Sequence, residues 1–312
     1  MREKIFHWKK TWICLMIVLL MASGGCIKLS PMIEEQPLTV TDDLGRDVII
    51  PKELNRIVSL SPSNTEILFA LGLGDKVVGV TRYCNYPPEA QEKEEIGGFV
   101  SVNIEKVVAL KPDLILADSS LQKAVVEELE KLGLSVVALG ADDVDEILED
   151  VELIGKITGR EEIAQELTAN MRDKIKAITD NTKSLNEGQL PKALFILELD
   201  PLRVAGPGSL AHILIQLAGG YNIAADADAR YVVYNSELLI ERDPDVIIFN
   251  KQMGTIEITA QDLKGQPGWD AISAVKNDRV YGIDGDIISR KGPRIVDGLE
   301  EIAIYIHPEL FK

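Results

Sequence analysis

Two glutamates recur at equivalent positions of a stretch that the chain contains twice. The first copy, residues 103–115, reads NIEKVVALKPDLI, and the second, residues 235–247, reads NSELLIERDPDVI. In each copy an asparagine is a good helix N-cap, and Glu105 or Glu237 falls in the first turn, where the helix dipole favours a carboxylate. The two acids therefore either complement helix ends or have a function of their own, and the residues alone leave both interpretations open.

An aromatic residue is repeated together with the acid, because Phe99 lies six residues before Glu105 and Tyr231 lies six before Glu237. A single aromatic residue in a loop is more often part of the core than a ligand contact. Two matched rings at loop ends instead indicate a shared clamp for a flat, partly apolar ligand. We predict that polar loop residues complete this site by hydrogen-bonding the rim of the ligand. The predicted ligand-binding residues are Ser63, Tyr83, Tyr86, Phe99, Tyr231, Asp286 and Arg290.

Catalytic and metal-binding patterns are missing from the sequence. Beyond residue 25 the chain has two histidines, His212 and His307, and no cysteine or histidine stands at metal-ligand spacing. The chain also lacks a Gly-x-Ser-x-Gly elbow and a phosphate-binding P-loop. His212 lies in an apolar helix and is predicted to belong to the core, as is the isolated Cys84. We therefore predict no enzyme, no metal site and no resident cofactor.

The elements that carry the candidate residues alternate between apolar strand runs and amphipathic helices, which predicts an α/β fold. The repeated stretch divides this fold into two lobes, residues 38–158 and residues 187–312. Between them, in residues 159–186, apolar side chains recur at three- and four-residue steps, which predicts one long linking helix. Two lobes joined in this way leave a cleft between them, and domain interfaces are favoured sites for small ligands.

Two local predictions concern the loops of the candidate site. Ser63 and Glu66 have the spacing of a capping box, for a helix predicted over residues 65–71. Residues 286–294 are predicted to form a polar loop before a last helix over residues 295–306.

Residues 1–25 have the composition of a secretory signal peptide. A basic segment is followed by an apolar run, too short to span a membrane comfortably, and by small residues that precede Cys26. Cys26 is the predicted lipidation site, although Ser23 stands where such sites usually have leucine. Residues 26–37 are predicted to be a tether. The protein is thus expected to be exported and lipid-anchored on the extracytoplasmic face of the membrane.

The formal net charge of the chain at pH 7 is −17. A surface of this sign keeps a protein soluble and repels nucleic acid, and the sequence has no basic patch that would offset it. We therefore expect no nucleic-acid partner, and we expect a monomer.

The sequence resembles a known family, the substrate-binding proteins of ABC importers for cobalamin, ferric siderophores and haem. The resemblance runs from about Leu38 to the end of the chain. It implies two Rossmann-like α/β lobes joined by one long helix, with the ligand cleft between the lobes. Its signatures are Ile57–Glu66 (IVSLSPSNTE), Val107–Ile115 (VVALKPDLI) and Gly292–Glu300 (GPRIVDGLE).

The resemblance also implies partners. In this family one exposed carboxylate on each lobe pairs with arginines of the membrane permease, which works with ATPase subunits, and Glu105 and Glu237 match those positions. Within the family the chain is most similar to cobalamin binders, through Tyr83-x-x-Tyr86-Pro-Pro and through Asp286-x-x-x-Arg290 before Pro-Arg-Ile. The predicted ligand is accordingly cobalamin or another corrinoid.

Alternatives to a corrinoid binder remain. Phe99 and Tyr231 stand where the best-known cobalamin binder has tryptophans, and a tyrosine near the cleft permits haem ligation. A ferric siderophore or haem is therefore the alternative ligand. Similar lobes also occur in tetrapyrrole chelatases, which makes an enzyme the alternative from another class.

Overall fold

The computed structural model describes residues 37–253 and 256–311. The predicted signal peptide, the lipidation site Cys26 and nearly all of the predicted tether lie outside these ranges. Among the described helices, none is both long enough and apolar enough to cross a membrane.

Lobe 1 is built on a parallel five-stranded sheet with the strand order β5-β4-β3-β6-β7, preceded by an antiparallel hairpin, β1–β2. Its strands are apolar runs that helices cover, and all five residues of β6 are buried, as expected for a central parallel strand. The strands are β1 (Thr39–Thr41), β2 (Asp47–Ile49), β3 (Ile57–Ser59), β4 (Val77–Val80), β5 (Glu94–Glu95), β6 (Leu114–Asp118) and β7 (Val136–Leu139). The helices are α1 (Pro62–Ala70), α2 (Ile104–Ala109), α3 (Lys123–Lys131) and α4 (Val144–Ile157).

A single helix, α5 (Glu161–Thr182), follows lobe 1 and is the predicted linking helix. Its 22 residues correspond to a length of about 33 Å. Ala164 packs into the core of lobe 1, whereas Met171 and Ile178 pack into the core of lobe 2. The helix therefore contributes side chains to the cores of both lobes.

Lobe 2 contains a mixed sheet with the order β11-β9-β8-β12-β15, in which β8, β12 and β15 are parallel and β9 is antiparallel to β8. A short strand, β10, pairs with the beginning of β8. The strands are β8 (Lys192–Leu199), β9 (Leu202–Ala205), β10 (Tyr221–Asn222), β11 (Tyr231–Val233), β12 (Val246–Asn250), β13 (Gln252–Met253), β14 (Ile256–Glu257) and β15 (Val280–Ile283). The helices are α6 (Leu210–Leu217), α7 (Ser236–Arg242), α8 (Ala260–Lys264), α9 (Ser273–Lys276), α10 (Gly285–Ser289) and α11 (Ile295–Ile306).

The two lobes share apolar packing. Val144, Ile147 and Leu148 on α4 of lobe 1 belong to the same core cluster as side chains of α6 and α11 in lobe 2. Because packed cores resist deformation, this shared cluster fixes one lobe against the other.

The structure corrects two local predictions. The capping box of Ser63 and Glu66 is wrong, because α1 begins at Pro62 with Ser61 as its N-cap and no side-chain capping bond. Glu66 is instead buried, with its carboxylate bonded to arginines of lobe 2. The segment 286–294 is not entirely a loop, since Gly285–Ser289 forms the short helix α10, capped by Asp284.

Candidate functional site

The edge of lobe 1 that holds the carboxyl end of β4 contacts the edge of lobe 2 that holds the carboxyl end of β15. The amide nitrogen Nδ2 of Asn85 donates to Oδ2 of Asp286 at 3.2 Å. Nη2 of Arg290 donates to the backbone oxygen of Tyr83, also at 3.2 Å. Four residues predicted for the ligand site, Tyr83, Tyr86, Asp286 and Arg290, are thus brought to one boundary between the lobes.

A buried carboxylate joins the lobes at this boundary. Oε1 of Glu66 accepts from Nη1 of Arg290 at 2.8 Å and from Nη2 of Arg294 at 2.6 Å, and Oε2 accepts from Nε of Arg294 at 2.9 Å. Glu66 is 3% exposed and Arg290 is 8% exposed. The hydrogen bond to Glu66 raises the pKa of Arg294 above its usual value. Arg290 also bonds Oδ2 of Asp286, at 2.5 Å, so most of its donors are used within the protein.

Three tyrosines near the boundary are exposed to solvent. Tyr83 is 55% exposed and Tyr86 is 42% exposed on lobe 1, and Tyr231 is 52% exposed on lobe 2. The guanidinium of Arg294 lies 3.9 Å from the centroid of the Tyr86 ring, a cation–π contact between the lobes. Exposed aromatic faces of this kind are suited to stacking on a flat ligand.

Phe99 lies in the loop after β5, beside the loop that carries Tyr83. The fully buried amide of Gln122 donates to the backbone oxygen of Phe99 at 2.6 Å and to that of Leu60 at 2.8 Å. A methyl group added at Gly98 would lie 3.8 Å from the Tyr83 ring, which shows how closely the two loops approach. Phe99 itself is half-buried.

Tyr231 opens β11, next to a second contact between the lobes. Nη2 of Arg230 lies 3.0 Å from Oδ1 of Asp142, which follows the carboxyl end of β7 in lobe 1. Tyr231 is thereby placed on lobe 2 beside the edge of lobe 1.

Ser63 also lies at the boundary, but its hydroxyl oxygen is engaged. It accepts a hydrogen bond from the backbone N–H of Lys291 at 3.0 Å. Ser63 is half-buried and contributes to the contact between lobes.

Both predicted asparagine caps are formed. The side chain of Asn103 accepts from the N–H of Lys106 on α2, and that of Asn235 accepts from the N–H of Leu238 on α7. Glu105 and Glu237 are exposed in the first turns of these helices, one on each lobe. Within the described ranges, neither glutamate makes an ion pair.

The two side chains predicted as core residues are buried. Cys84 is 2% exposed, its sulfur lies within 3.3 Å of the hydroxyls of Thr65 and Thr81, and burial raises its pKa. His212 is 8% exposed, and Nδ1 of its ring lies 3.0 Å from the amide of Asn222. Burial lowers the pKa of His212, which favours its neutral form. Among the described residues, no group of three or more acidic, histidine or cysteine side chains is arranged to hold a metal ion.

Sequence reasoning did not identify Glu66, Asn85 or Arg294 as parts of this boundary. Glu66 was interpretable locally as a capping residue, and its partners lie more than 200 residues away in the chain. One signal was present: Glu66 directly precedes the apolar run of residues 67–70 in α1, and a carboxylate buried beside such a run needs a partner.

Comparison with known proteins identifies the family. A family model described as periplasmic binding protein matches residues 57–287, well over half of the chain. The chain belongs to the periplasmic binding protein family. The family that the sequence motifs indicated is therefore confirmed.

Relatives of this periplasmic binding protein include one named for an ABC transporter and others named for a ligand. An uncharacterised ABC transporter substrate-binding lipoprotein of Bacillus subtilis is 36% identical over 281 residues, which cover 88% of this chain and 87% of that protein. A vitamin B12-binding protein of Vibrio cholerae is 31% identical over 258 residues, covering 82% of this chain and 90% of that protein. A solved periplasmic haem-binding protein from Roseiflexus has a TM-score of 0.72 at 26% identity, covering 83% of this chain and 100% of that one.

These findings establish the class of this periplasmic binding protein. It is an ABC-type substrate-binding protein, of a family whose members bind ligands for transport. The predicted α/β fold with two lobes is confirmed, and family membership implies export from the cytoplasm.

Proposed function

We propose that this protein captures cobalamin or another corrinoid outside the cytoplasm and delivers it to the permease of an ABC importer. The observation that carries the proposal is the placement of exposed tyrosines on both lobes at their boundary, Tyr83 and Tyr86 on lobe 1 and Tyr231 on lobe 2. Rings on both sides suit a broad ligand that offers apolar surface to each lobe. The similarity to a vitamin B12-binding protein, at 31% identity over most of both chains, supports the same ligand class.

The polar residues at the boundary have a different role from that of the rings. The carboxylate of Asp286 accepts hydrogen bonds from Asn85 and Arg290. The side chain is nevertheless 39% exposed, so the carboxylate is accessible to a polar group of the ligand. Ser63 and Arg290 are engaged in contacts between the lobes. In the proposed complex Asp286, together with Tyr83, Tyr86, Phe99 and Tyr231, contacts the ligand, and Ser63 and Arg290 support these contacts.

Haem is the second candidate ligand, because a specific feature favours it. Tyr83 and Tyr231 are exposed at the boundary, and a tyrosine oxygen is an established ligand of haem iron. The structural similarity to a periplasmic haem-binding protein adds support. A ferric siderophore is a further candidate, since it is also an iron-containing ligand.

Glu105 and Glu237 are proposed to dock the protein on the permease. Each is exposed in the first turn of a capped helix, one on each lobe, so two fixed negative charges face outward. An exposed ion pair contributes only about 0–1 kcal/mol, but two charges at a fixed separation select one docking register. A lipid on Cys26 would hold the protein at the membrane surface near its permease.

Calorimetric titration of the purified protein tests the ligand assignment. The ligands are cyanocobalamin, cobinamide, haemin and a ferric catecholate. Tight binding of both corrinoids, with no heat from the iron compounds, is the expected result. Binding of haemin or the ferric catecholate alone would overturn the corrinoid assignment. The ligand would then be assigned as an iron compound.

A further inference from the structure

The most completely buried charged group at the boundary between the lobes is Glu66 on α1. Its carboxylate accepts three hydrogen bonds from two arginines of lobe 2, at 2.6 to 2.9 Å. A carboxylate that is 3% exposed is stable only when charge and hydrogen bonding compensate its lost hydration. Glu66 therefore fixes the positions of the guanidinium groups of Arg290 and Arg294.

The same two arginines contact the loop that carries the tyrosines of lobe 1. Nη2 of Arg290 donates to the backbone oxygen of Tyr83 at 3.2 Å. The guanidinium of Arg294 lies 3.9 Å from the centre of the Tyr86 ring. Between these two tyrosines, Asn85 donates to Asp286, which itself bonds Arg290. Each of these three contacts between residues 83–86 and lobe 2 thus involves Arg290, Arg294 or the carboxylate of Asp286, which Arg290 also bonds.

We propose that Glu66 is a positioning residue for the ligand site, which holds the loop 83–86 in its binding conformation through Arg290 and Arg294. The proposal rests on the proposed function in one respect, that Tyr83 and Tyr86 face the ligand. Glu66 does not contact the ligand, because its two oxygens are directed to the arginines and it is buried.

The physical basis is preorganisation. A loop that is ordered before the ligand arrives does not lose conformational freedom on binding, so more of the interaction energy appears as affinity. In the cluster around Glu66, two guanidinium groups face two carboxylates, those of Glu66 and Asp286. Replacement of Glu66 by glutamine keeps the shape of the side chain but leaves an excess of buried positive charge beside the loop.

Cys84 provides a probe inside this loop. It lies between Tyr83 and Asn85 and is 2% exposed, so its thiol reacts with a maleimide only when the loop opens. Labelling of Cys84 by N-ethylmaleimide, followed by mass spectrometry of the peptide that contains it, measures the opening of the loop. Amide hydrogen exchange of β6 and β12 in the same samples measures the opening of the whole fold.

The test compares Glu66→Gln with Glu152→Gln. Glu152 on α4 is the control for the loss of a carboxylate–arginine pair away from the loop: its carboxylate pairs with Arg172 on α5, and its side chain is 39% exposed, compared with 2% for Glu66. In Glu66→Gln we expect Cys84 labelling to accelerate about tenfold or more, with unchanged exchange in β6 and β12. We expect the affinity for cyanocobalamin to fall by about tenfold or more, and Glu152→Gln to match the wild type in both measurements.

A second variant tests the same proposal in case Glu66→Gln does not fold. Arg294→Met removes the cation above Tyr86 and leaves the bond between Arg290 and Glu66, so its effect is expected in the same direction and smaller. Unchanged Cys84 labelling in both variants would overturn the proposal. So would equal acceleration at Cys84, β6 and β12, because Glu66 would then support the fold as a whole.

The two proposals fail separately. Faster Cys84 labelling with unchanged cyanocobalamin affinity, in a protein whose wild type binds that ligand, would show that the loop is held but does not position the ligand. If the wild type binds no corrinoid, the corrinoid assignment fails. The labelling of Cys84 still decides in that case whether Glu66 holds the loop.

Discussion

Asp150 on α4 is a carboxyl group whose pKa is raised to about 7. Burial is the main cause, since the residue is 7% exposed, and the nearby carboxylates of Asp43 and Glu146 act in the same direction. The backbone N–H of Ala141 and the charge of Lys291 oppose this shift. Because the group ionises near 3.8 when the chain is unfolded, the contribution of Asp150 to the free energy of unfolding should fall as the pH rises from about 4 to about 7.

Asp150→Asn should remove this pH dependence. A rise of the pKa from 3.8 to about 7 corresponds to at most about 4 kcal/mol. The variant should be more stable than the wild type by up to that amount at pH 8 and by only about 1 kcal/mol at pH 4.5. Urea unfolding of both proteins at the two pH values measures the difference. Because the pKa of His212 is lowered, its contribution to the free energy of unfolding rises with pH below about pH 6.5. This contribution is the same in both proteins, so it cancels in the difference between them. The same difference at both pH values would show that Asp150 is ionised throughout.

Tyr231 can be tested against a tyrosine of nearly equal exposure on the same lobe. Tyr231→Ala should weaken ligand binding by about tenfold or more, because an exposed ring at the boundary is lost from the proposed stacking surface. Tyr221 is 48% exposed, compared with 52% for Tyr231, and it begins β10, which pairs with the beginning of β8. Titration of both variants with the ligand that the wild type binds is the measurement. Equal affinities in Tyr231→Ala and Tyr221→Ala would remove Tyr231 from the site.

At the scale of single elements, the two asparagine caps each stabilise the N-terminus of one helix. Asn103→Ala and Asn235→Ala each remove a side-chain acceptor from a first-turn N–H, on α2 and α7 respectively. Each should lower the free energy of unfolding by about 1 kcal/mol. Urea unfolding gives the values, with Asn103→Asp and Asn235→Asp expected to retain stability because aspartate is an equally good cap. A stability loss in the aspartate variants would show that the amide groups have another role.

The contact between α4 and α5 depends on a residue without a side chain. A methyl group added at Gly155 on α4 would overlap Cβ of Ala164 on α5 and would lie 3.2 Å from the backbone oxygen of Arg160. Gly155→Ala should therefore force the helices apart and cost about 1–3 kcal/mol of stability. Gly188 is the control, because an added methyl group there meets no atom within 4 Å. Thermal melting that affects both variants equally would argue against close packing at Gly155.

At the scale of the whole molecule, the two exposed glutamates are expected to matter for transport and not for ligand binding. Glu105→Ala combined with Glu237→Ala should leave ligand affinity unchanged and abolish uptake in cells, because the charges that dock the two lobes are lost. The control removes two exposed glutamates from the first turn of α5, with Glu161→Ala and Glu162→Ala, and should transport normally. Normal uptake by the first pair, or a loss of affinity, would refute docking through these acids.

The linking helix and the shared core indicate that the lobes move little relative to one another. Met171 and Ile178 of α5 and Val144 of α4 lie in a core cluster that also includes Leu299 of α11 in lobe 2. Opening the lobes widely would expose part of this apolar surface to water, at a cost of about 25 cal/mol for each Å². A rigid frame of this kind leaves adjustment to the loops at the boundary, which is where Glu66 is proposed to act.

The sequence by itself determined the features that depend on neighbouring residues. The caps at Asn103 and Asn235 and the last helix Ile295–Ile306 lie where the sequence predicted them. The long linking helix was predicted over 159–186 and observed over Glu161–Thr182. Such elements follow from local hydrophobic periodicity and from capping side chains within four residues, so a single stretch of sequence contains the information.

Only the tertiary structure decided how the charged residues of the boundary are used. Glu66 and Arg290 are separated by 224 positions in the chain, and no local pattern distinguishes a capping glutamate from one that pairs across two lobes. Arg290 was predicted to contact the ligand, and the structure shows its guanidinium bonded to Glu66, Asp286 and Tyr83. The physical reason is that a buried charge is stabilised by whichever opposite charge the fold brings within hydrogen-bonding distance, and that distance is set by the packing of the two lobes.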